Sequence, residues 1–338
     1  MLEEFYDKTN YTLKLPYNFD SKLSDISFDV KVILFDENCK KGYYSYFNQL
    51  VDNLPINLTH LTFGKRFNQL VDNLPINLTH LTFGYKFNQL VNNLPINLTH
   101  LAFGHKFNQS VDNLPINLTH LAFGYNFNQS VDNLPINLTH LTFGYDFNQS
   151  VDNLPKNLQF LTLGYIFNKK ILKLPNNLTY LKFGYWFNQS IDNLPSNLEF
   201  LKFGDKFNQP INILPKSLTH LFFGYEFNQL LGCANCENNL CPKNLPINLT
   251  NLKLGYYFNQ SIDYFPLSIS NLSLYSAPKL INNLPSGIIF LEINFLSNFN
   301  KKITNLPINL KEIIIYNENY IKFFKKIPFG CNIIVKKY

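Results

Sequence analysis

The sequence predicts a single solenoid, weakly curved and elongated, with a parallel β-sheet along its concave face. A unit of the form FNQLVDNLPINLTHLTFGYK returns every 20 residues, with prolines in step from Pro55 to Pro215. The beat continues with looser spacing at Pro246, Pro266, Pro285, Pro307 and Pro328, which gives about 14 repeats across 338 residues. A unit this short cannot close a core alone, so consecutive units must stack and share one.

The elements follow from the repeat. Residues 1–46 read as an N-terminal cap, because Leu15-Pro16 and the run Val30-Lys31-Val32-Ile33-Leu34-Phe35 look like a degenerate first repeat. The segment Leu58-x-x-Leu61-x-Phe63 reads as the start and strand of a leucine-rich repeat, with the strand at about Thr59–Phe63. Side chains alternate across a strand, so Leu61 and Phe63 point inward while His60 and Thr62 point outward. Gly64 is expected to let the chain turn out of the strand. Phe67 inserts from the loop, and Asn68 is expected to bond turn backbone of its own and the next repeat. Val71 and Leu74 anchor the return segment, and Pro75 disfavours helix at Leu74. Too few residues separate Phe67 from Pro75 for a helix, so extended or 3-10 structure is expected on the convex side. A helical layer would need about 10 Å per unit, whereas strands stack at about 4.8 Å. A thin convex layer therefore implies weak curvature and about 65 Å of sheet for fourteen strands. The solenoid proper spans 47–315, with an insertion at 231–243, and 316–338 form a basic C-terminal cap.

The recurring Phe-Asn-Gln after each strand, with Leu-Pro-x-x-Leu before it, resembles the FNIP-repeat family. This is a branch of leucine-rich repeats found in large DNA viruses of amoebae and in social amoebae. Phe207-Asn208-Gln209-Pro210-Ile211 carries the whole signature, and the resemblance covers 47–315 in register. It implies a leucine-rich solenoid with a binding role, acting as an adaptor in some relatives. The period here is shorter than the family's usual one. Some relatives carry an N-terminal F-box that recruits a ubiquitin ligase, but residues 1–46 show no helical periodicity for one.

Composition removes several function classes. The net charge is +6, and residues 301–338 hold eight lysines against two glutamates, leaving 21 basic and 21 acidic side chains in the rest. A nucleic-acid groove needs basic residues along most of its length, so none is expected. No run of 18 apolar residues exists, which argues against a membrane span. The start MLEEFYDKTN does not read as a secretory signal. Five cysteines, unevenly spaced, suit a reducing compartment, the cytoplasm, or the host cytoplasm for a viral protein. Sequons such as those at Asn57 and Asn108 read as by-products of repeated structural asparagines.

Candidate sites lie on the outward rows. His60, His80, His100, His120, His140 and His220 share one strand position, the first five as a ladder. Neighbouring imidazoles about 5 Å apart would repel by about 0.8 kcal/mol if both were charged, even in water. The ladder should therefore be mostly neutral at pH 7. It reads either as a metal-binding or pH-sensitive stripe, or as a surface residue copied with its repeat. Further along, the same row carries Phe160, Tyr180 and Phe200, and the row two residues on carries Lys182, Lys202 and Phe222. Trp186 sits in the adjoining strand exit. Aromatics flanked by lysines on a rigid sheet have the composition of a protein-binding hot spot, or form a cross-strand ladder that only supports the sheet. On the opposite face, Asp52, Asp72, Asp112, Asp132, Asp152 and Asp192 read as turn-capping carboxylates. The insertion carries Cys233, Cys236 and Cys241, part of a zinc-knuckle spacing without a fourth ligand nearby.

No nucleophile elbow, phosphate loop, HExxH or paired CxxC motif appears, and no catalytic residue or cofactor is assigned. The leading expectation is a non-enzymatic, monomeric solenoid that captures a protein on its concave strand face. A self-assembling structural component and a ubiquitin-ligase substrate adaptor without a recognisable F-box are the alternatives.

Overall fold

A computed structural model describes residues 2–36, 42, 44–231, 245–262, 265–275, 284–294 and 302–336. The chain forms two compact units, Met1–Phe167 and Asn168–Tyr338, and each is a stack of coils. In the first unit β1 (Tyr6–Asp7) lies antiparallel on β2 (Thr12–Leu15), and every later pairing is parallel. The order continues through β3 (Val32–Phe35), β4 (His60–Thr62), β5 (His80–Thr82) and β6 (His100–Ala102). It ends with β7 (His120–Ala122), β8 (His140–Thr142) and β9 (Phe160–Thr162). The second unit runs from β10 (Tyr180–Lys182) through β11 (Phe200–Lys202), β12 (His220–Phe222) and β13 (Asn251–Leu254). It closes with β14 (Asn271–Leu274), β15 (Phe290–Ile293), β16 (Glu312–Ile315) and β17 (Asn332–Val335), all parallel. Residues 2–36 thus hold two coils rather than one.

The strands are shorter than the five residues read from the sequence, because each coil turns sharply. Their hydrogen bonding nonetheless reaches one residue beyond each end: Thr79 N donates to Thr59 O at 2.9 Å, and Phe63 N to Thr82 O at 2.8 Å. Among the described residues the segments between strands contain no α-helix, only turns such as Leu78 N to Pro75 O at 3.1 Å and, before β17, a 3-10 helix at Glu318–Phe323. The length available between Phe67 and Pro75 had required this.

Leu61, Phe63, Phe67 and Val71 are buried, and so are their counterparts in the neighbouring coils. Within a coil the Phe83 and Phe87 rings lie 3.7 Å apart, and Phe67 and Phe87 stack between coils at 6.1 Å. Each buried phenylalanine stabilises the stack by about 1.5–3 kcal/mol through removal from water.

The polar positions of the repeat are also bonds between coils. Asn68 Oδ1 accepts Asn88 N at 2.8 Å, and Gln89 Nε2 donates to Asn68 O at 3.1 Å. This pattern runs to Asn148 in the first unit and from Asn168 to Asn259 in the second. The carboxamide oxygen thus serves the next repeat's backbone, not its own turn as well. The sequon asparagines behave likewise: Asn77 Nδ2 donates to Ile56 O at 3.0 Å. The aspartates hold more than their own turn. Asp112 accepts Ser110 Oγ at 2.7 Å, but its other oxygen accepts Asn133 Nδ2 of the next coil at 3.1 Å. The repeat glycine also has a different cause from the one expected. Gly104 is not in the left-handed region; a Cβ there would sit 1.9 Å from Gly84 O. Glycine is needed because consecutive coils approach closely at this point.

Candidate functional site

The outward sheet face of the first unit presents the histidine row. His60, His80, His100, His120 and His140 stack ring on ring, with centroids 4.1–4.2 Å apart and planes 11–12° from parallel. Phe160 continues the stack on His140 at 4.2 Å. The preceding threonine sets the tautomer. Thr79 Oγ1 lies 3.1 Å from Thr59 O and 2.9 Å from His80 Nδ1. A hydroxyl has one hydrogen, and the carbonyl can only accept, so Nδ1 carries the proton and donates to Thr79 Oγ1. The same geometry recurs at His60, His100, His120 and His140. Each neutral ring therefore turns an Nε2 lone pair outward.

Burial lowers the pKa of His80 to about 4, with repulsion from His60, His100 and His120 adding to it. Burial also lowers His100, His120 and His140, with neighbouring histidines as the second cause. His80, His100, His120 and His140 are neutral at pH 7 for both reasons, burial leading, where charge repulsion alone was expected to suffice. His80 to His140 border a shallow trough of about 460 Å³ whose floor includes Ala102 and Ala122. The stacking directs the Nε2 lone pairs side by side instead of toward a common point, a poor arrangement for chelation. Among the described residues no group of three or more His, Cys, Asp or Glu is placed to hold a metal ion. Cys233, Cys236 and Cys241 lie outside the described residues.

A second ladder escaped the sequence reading. Tyr85, His105, Tyr125, Tyr145 and Tyr165 stack at 4.3–4.5 Å just past the strand exits. The signal was present: the residue after the repeat glycine is aromatic in most units.

In the second unit Tyr180 and Phe200 stack at 4.3 Å, and Phe222 stands edge-on to Phe200 at 5.3 Å. Trp186 is 48 % exposed and packs edge-on against Tyr185. These aromatics thus form the sheet-supporting ladder and also leave ring edges at the surface. His220 keeps the threonine-set tautomer, and its Nε2 accepts Asn251 Nδ2 at 3.0 Å. Lys182 and Lys202 are register partners on adjacent strands. Partial burial, then the ammonium groups of Lys182 and Lys253, lower the pKa of Lys202. Lys253 Nζ donates to Tyr275 OH at 2.9 Å, and Lys206 pairs with Glu226.

Parallel strands of mostly three or four residues, a thin convex side and a core shared between consecutive coils define a leucine-rich-repeat solenoid whose candidate site is its open strand face. The FNIP Repeat model matches in overlapping segments from 47–86 through 207–232. The chain belongs to the FNIP-repeat family. Among solved structures it is similar to CroV588, a giant-virus protein with a circular leucine-rich-repeat structure, at 39 % identity and a TM-score of 0.75. That alignment covers 93 % of this chain and 47 % of CroV588, so the chain spans less than half of that protein's length. YopM of Yersinia enterocolitica WA-314 shares the fold at 20 % identity and a TM-score of 0.58, over 86 % of this chain and 62 % of its own. YopM of Yersinia pestis does so at 19 % and 0.56, over 100 % and 91 %. No curated protein matches the chain. No helix among the described residues is long and apolar enough to cross a membrane.

Proposed function

We propose that this chain is a non-enzymatic binding protein that captures a protein partner on the open strand face of its solenoid. A leucine-rich solenoid of the FNIP type is a general protein-interaction scaffold. One observation supports the specific reading. The inward positions stay apolar from coil to coil, whereas the outward rows diverge in the second unit. There Leu181 and Leu201 remain buried like Leu61, while the outward partners become Tyr180, Phe200, Lys182, Lys202 and Phe222. Change on an exposed strand face over an apolar core that is kept is what ligand selection requires. The aromatic edges with Trp186 supply the anchors, and the lysines frame them. The free thiol of Cys331 suits the reducing cytoplasm as the site of action.

The test is affinity capture with the full chain and with Tyr180→Ser combined with Phe200→Ser. The expected outcome is loss of the captured partner, with circular dichroism and thermal midpoint close to wild type. Capture at wild-type yield by the folded variant would refute the assignment of this face.

A further inference from the structure

Resting on that reading, we infer that Lys182 and Lys202 receive the carboxylates of an acidic, extended segment of the protein partner. The starting observation is a broken rule. From β4 to β9 the third strand position is Thr62, Thr82, Ala102, Ala122, Thr142 and Thr162, all neutral. In the second unit it becomes lysine on two adjacent strands that pair in register. Like charges directly opposite on one sheet face destabilise it. Among the described residues no ion pair offsets this penalty.

The other lysines nearby are answered. Lys206 pairs with Glu226. Lys253 donates to Tyr275 OH, lies over that ring at 4.6 Å, and acts on Glu292. Among the described residues neither Lys182 nor Lys202 makes an ion pair. Asp205 attracts Lys202, but burial, Lys182 and Lys253 outweigh it. Lys202 also borders a cleft of about 410 Å³ with Phe222, Asn251 and Lys253. Two ammonium groups held together beside apolar ring edges, with no carboxylate bound, are complementary to incoming negative charge. The aromatic neighbours lower the local dielectric and strengthen that attraction.

The face favours spaced carboxylates over a phosphate chain. Asp205 and Glu292 line the same cleft and would repel a continuous polyanion, whereas a peptide can carry acidic side chains only where lysines meet them. Such a segment would place apolar residues against Tyr180 and Phe200.

The test uses the full chain and a short fluorescent peptide alternating Glu with Leu, followed by anisotropy. Controls are the Gln–Leu peptide and a single-stranded oligothymidylate. The Glu–Leu peptide should bind, and added salt should weaken it. Lys182→Thr with Lys202→Thr restores the residue type of other repeats and should weaken binding about tenfold, the scale of two partly exposed ion pairs. Equal binding of the Gln–Leu peptide, tighter binding of the oligothymidylate, or no effect of the lysine replacements would each overturn the inference. A partner lost by the aromatic variant but fully retained by the lysine variant would also overturn it, while leaving the strand face as the docking site.

Discussion

Replacing Asn108 separates the two halves of the carboxamide. Its Oδ1 accepts Asn128 N at 2.9 Å and is within 3.1 Å of Gln129 Nε2. Gln129 also donates to Asn108 O at 3.1 Å, a bond that survives any side-chain change. Asn108→Leu keeps the volume and removes the acceptor. It orphans one half-buried backbone N–H, which costs about 1–3 kcal/mol, and weakens one side-chain bond worth about 0.5–1.5 kcal/mol. The expected loss is about 2 kcal/mol at one coil interface. Asn108→Asp keeps the acceptor oxygen and strengthens the bond to Asn128 N by its charge, so it should stay within about 1 kcal/mol of wild type. Coil stacks lose stability at nearest-neighbour interfaces, so the readout is local. Hydrogen exchange at the Asn128 amide should accelerate about 30-fold in the Leu variant, the factor that 2 kcal/mol gives. Unchanged protection of Asn128 in the Leu variant, or equal damage from Asp and Leu, would refute the acceptor role.

Two further outcomes follow. The folded-state pKa of His80 lies below its unfolded value of 6.5, so between pH 6.5 and about 4 the unfolded chain binds more protons than the folded one. Stability should therefore fall on acidification through that window and be fully present above it; replacing His80, His100 and His120 by Gln should flatten the decline in urea midpoints, and an unaltered slope would show that other groups drive it. Gly124→Ala would place a Cβ 2.0 Å from Gly104 O, forcing the coils apart by more than about 1 Å at a cost of about 2 kcal/mol or more. Ala122→Thr, a residue type the same row carries at Thr142, should be neutral in the same urea series, and equal midpoints for both variants would contradict the close-approach account.

The sequence made the fold legible because its strongest signal was periodic. Leu61, Phe63 and Phe67 could be assigned inward from alternation and spacing alone, and the missing helix followed from counting residues before Pro75. What it hid were bonds spanning twenty or more residues. The purpose of Gly104 depends on Gly84, the second bond of Asp112 on Asn133, and the Tyr85 ladder on coil spacing beyond the strands. The degenerate N-terminal coils at β2 and β3 lacked the repeat's punctuation and were read as one. The histidine tautomer needed geometry, although the Thr-His dipeptide was in view at every step. On the candidate face, the aromatic and lysine positions were identifiable by their departure from the copies. The absence of a carboxylate ion pair at Lys182 and Lys202 was not, since it depends on where Asp205 and Glu226 direct their charges.

The near-identity of the coils from β4 to β8 has a consequence for folding order. The strand at His80 presents the same leucines and ring surfaces to the strand at His120 as to its proper neighbour at His100. Side-chain recognition cannot tell these partners apart. Doubling the intervening loop adds only about 0.6 kcal/mol of closure entropy. Correct sequence order must instead come from the penalty of looping out a whole coil, which strands its two phenylalanines and its asparagine without hosts. The same translational degeneracy makes the number of coils a freely adjustable length, since excising one 20-residue unit rejoins surfaces that already match.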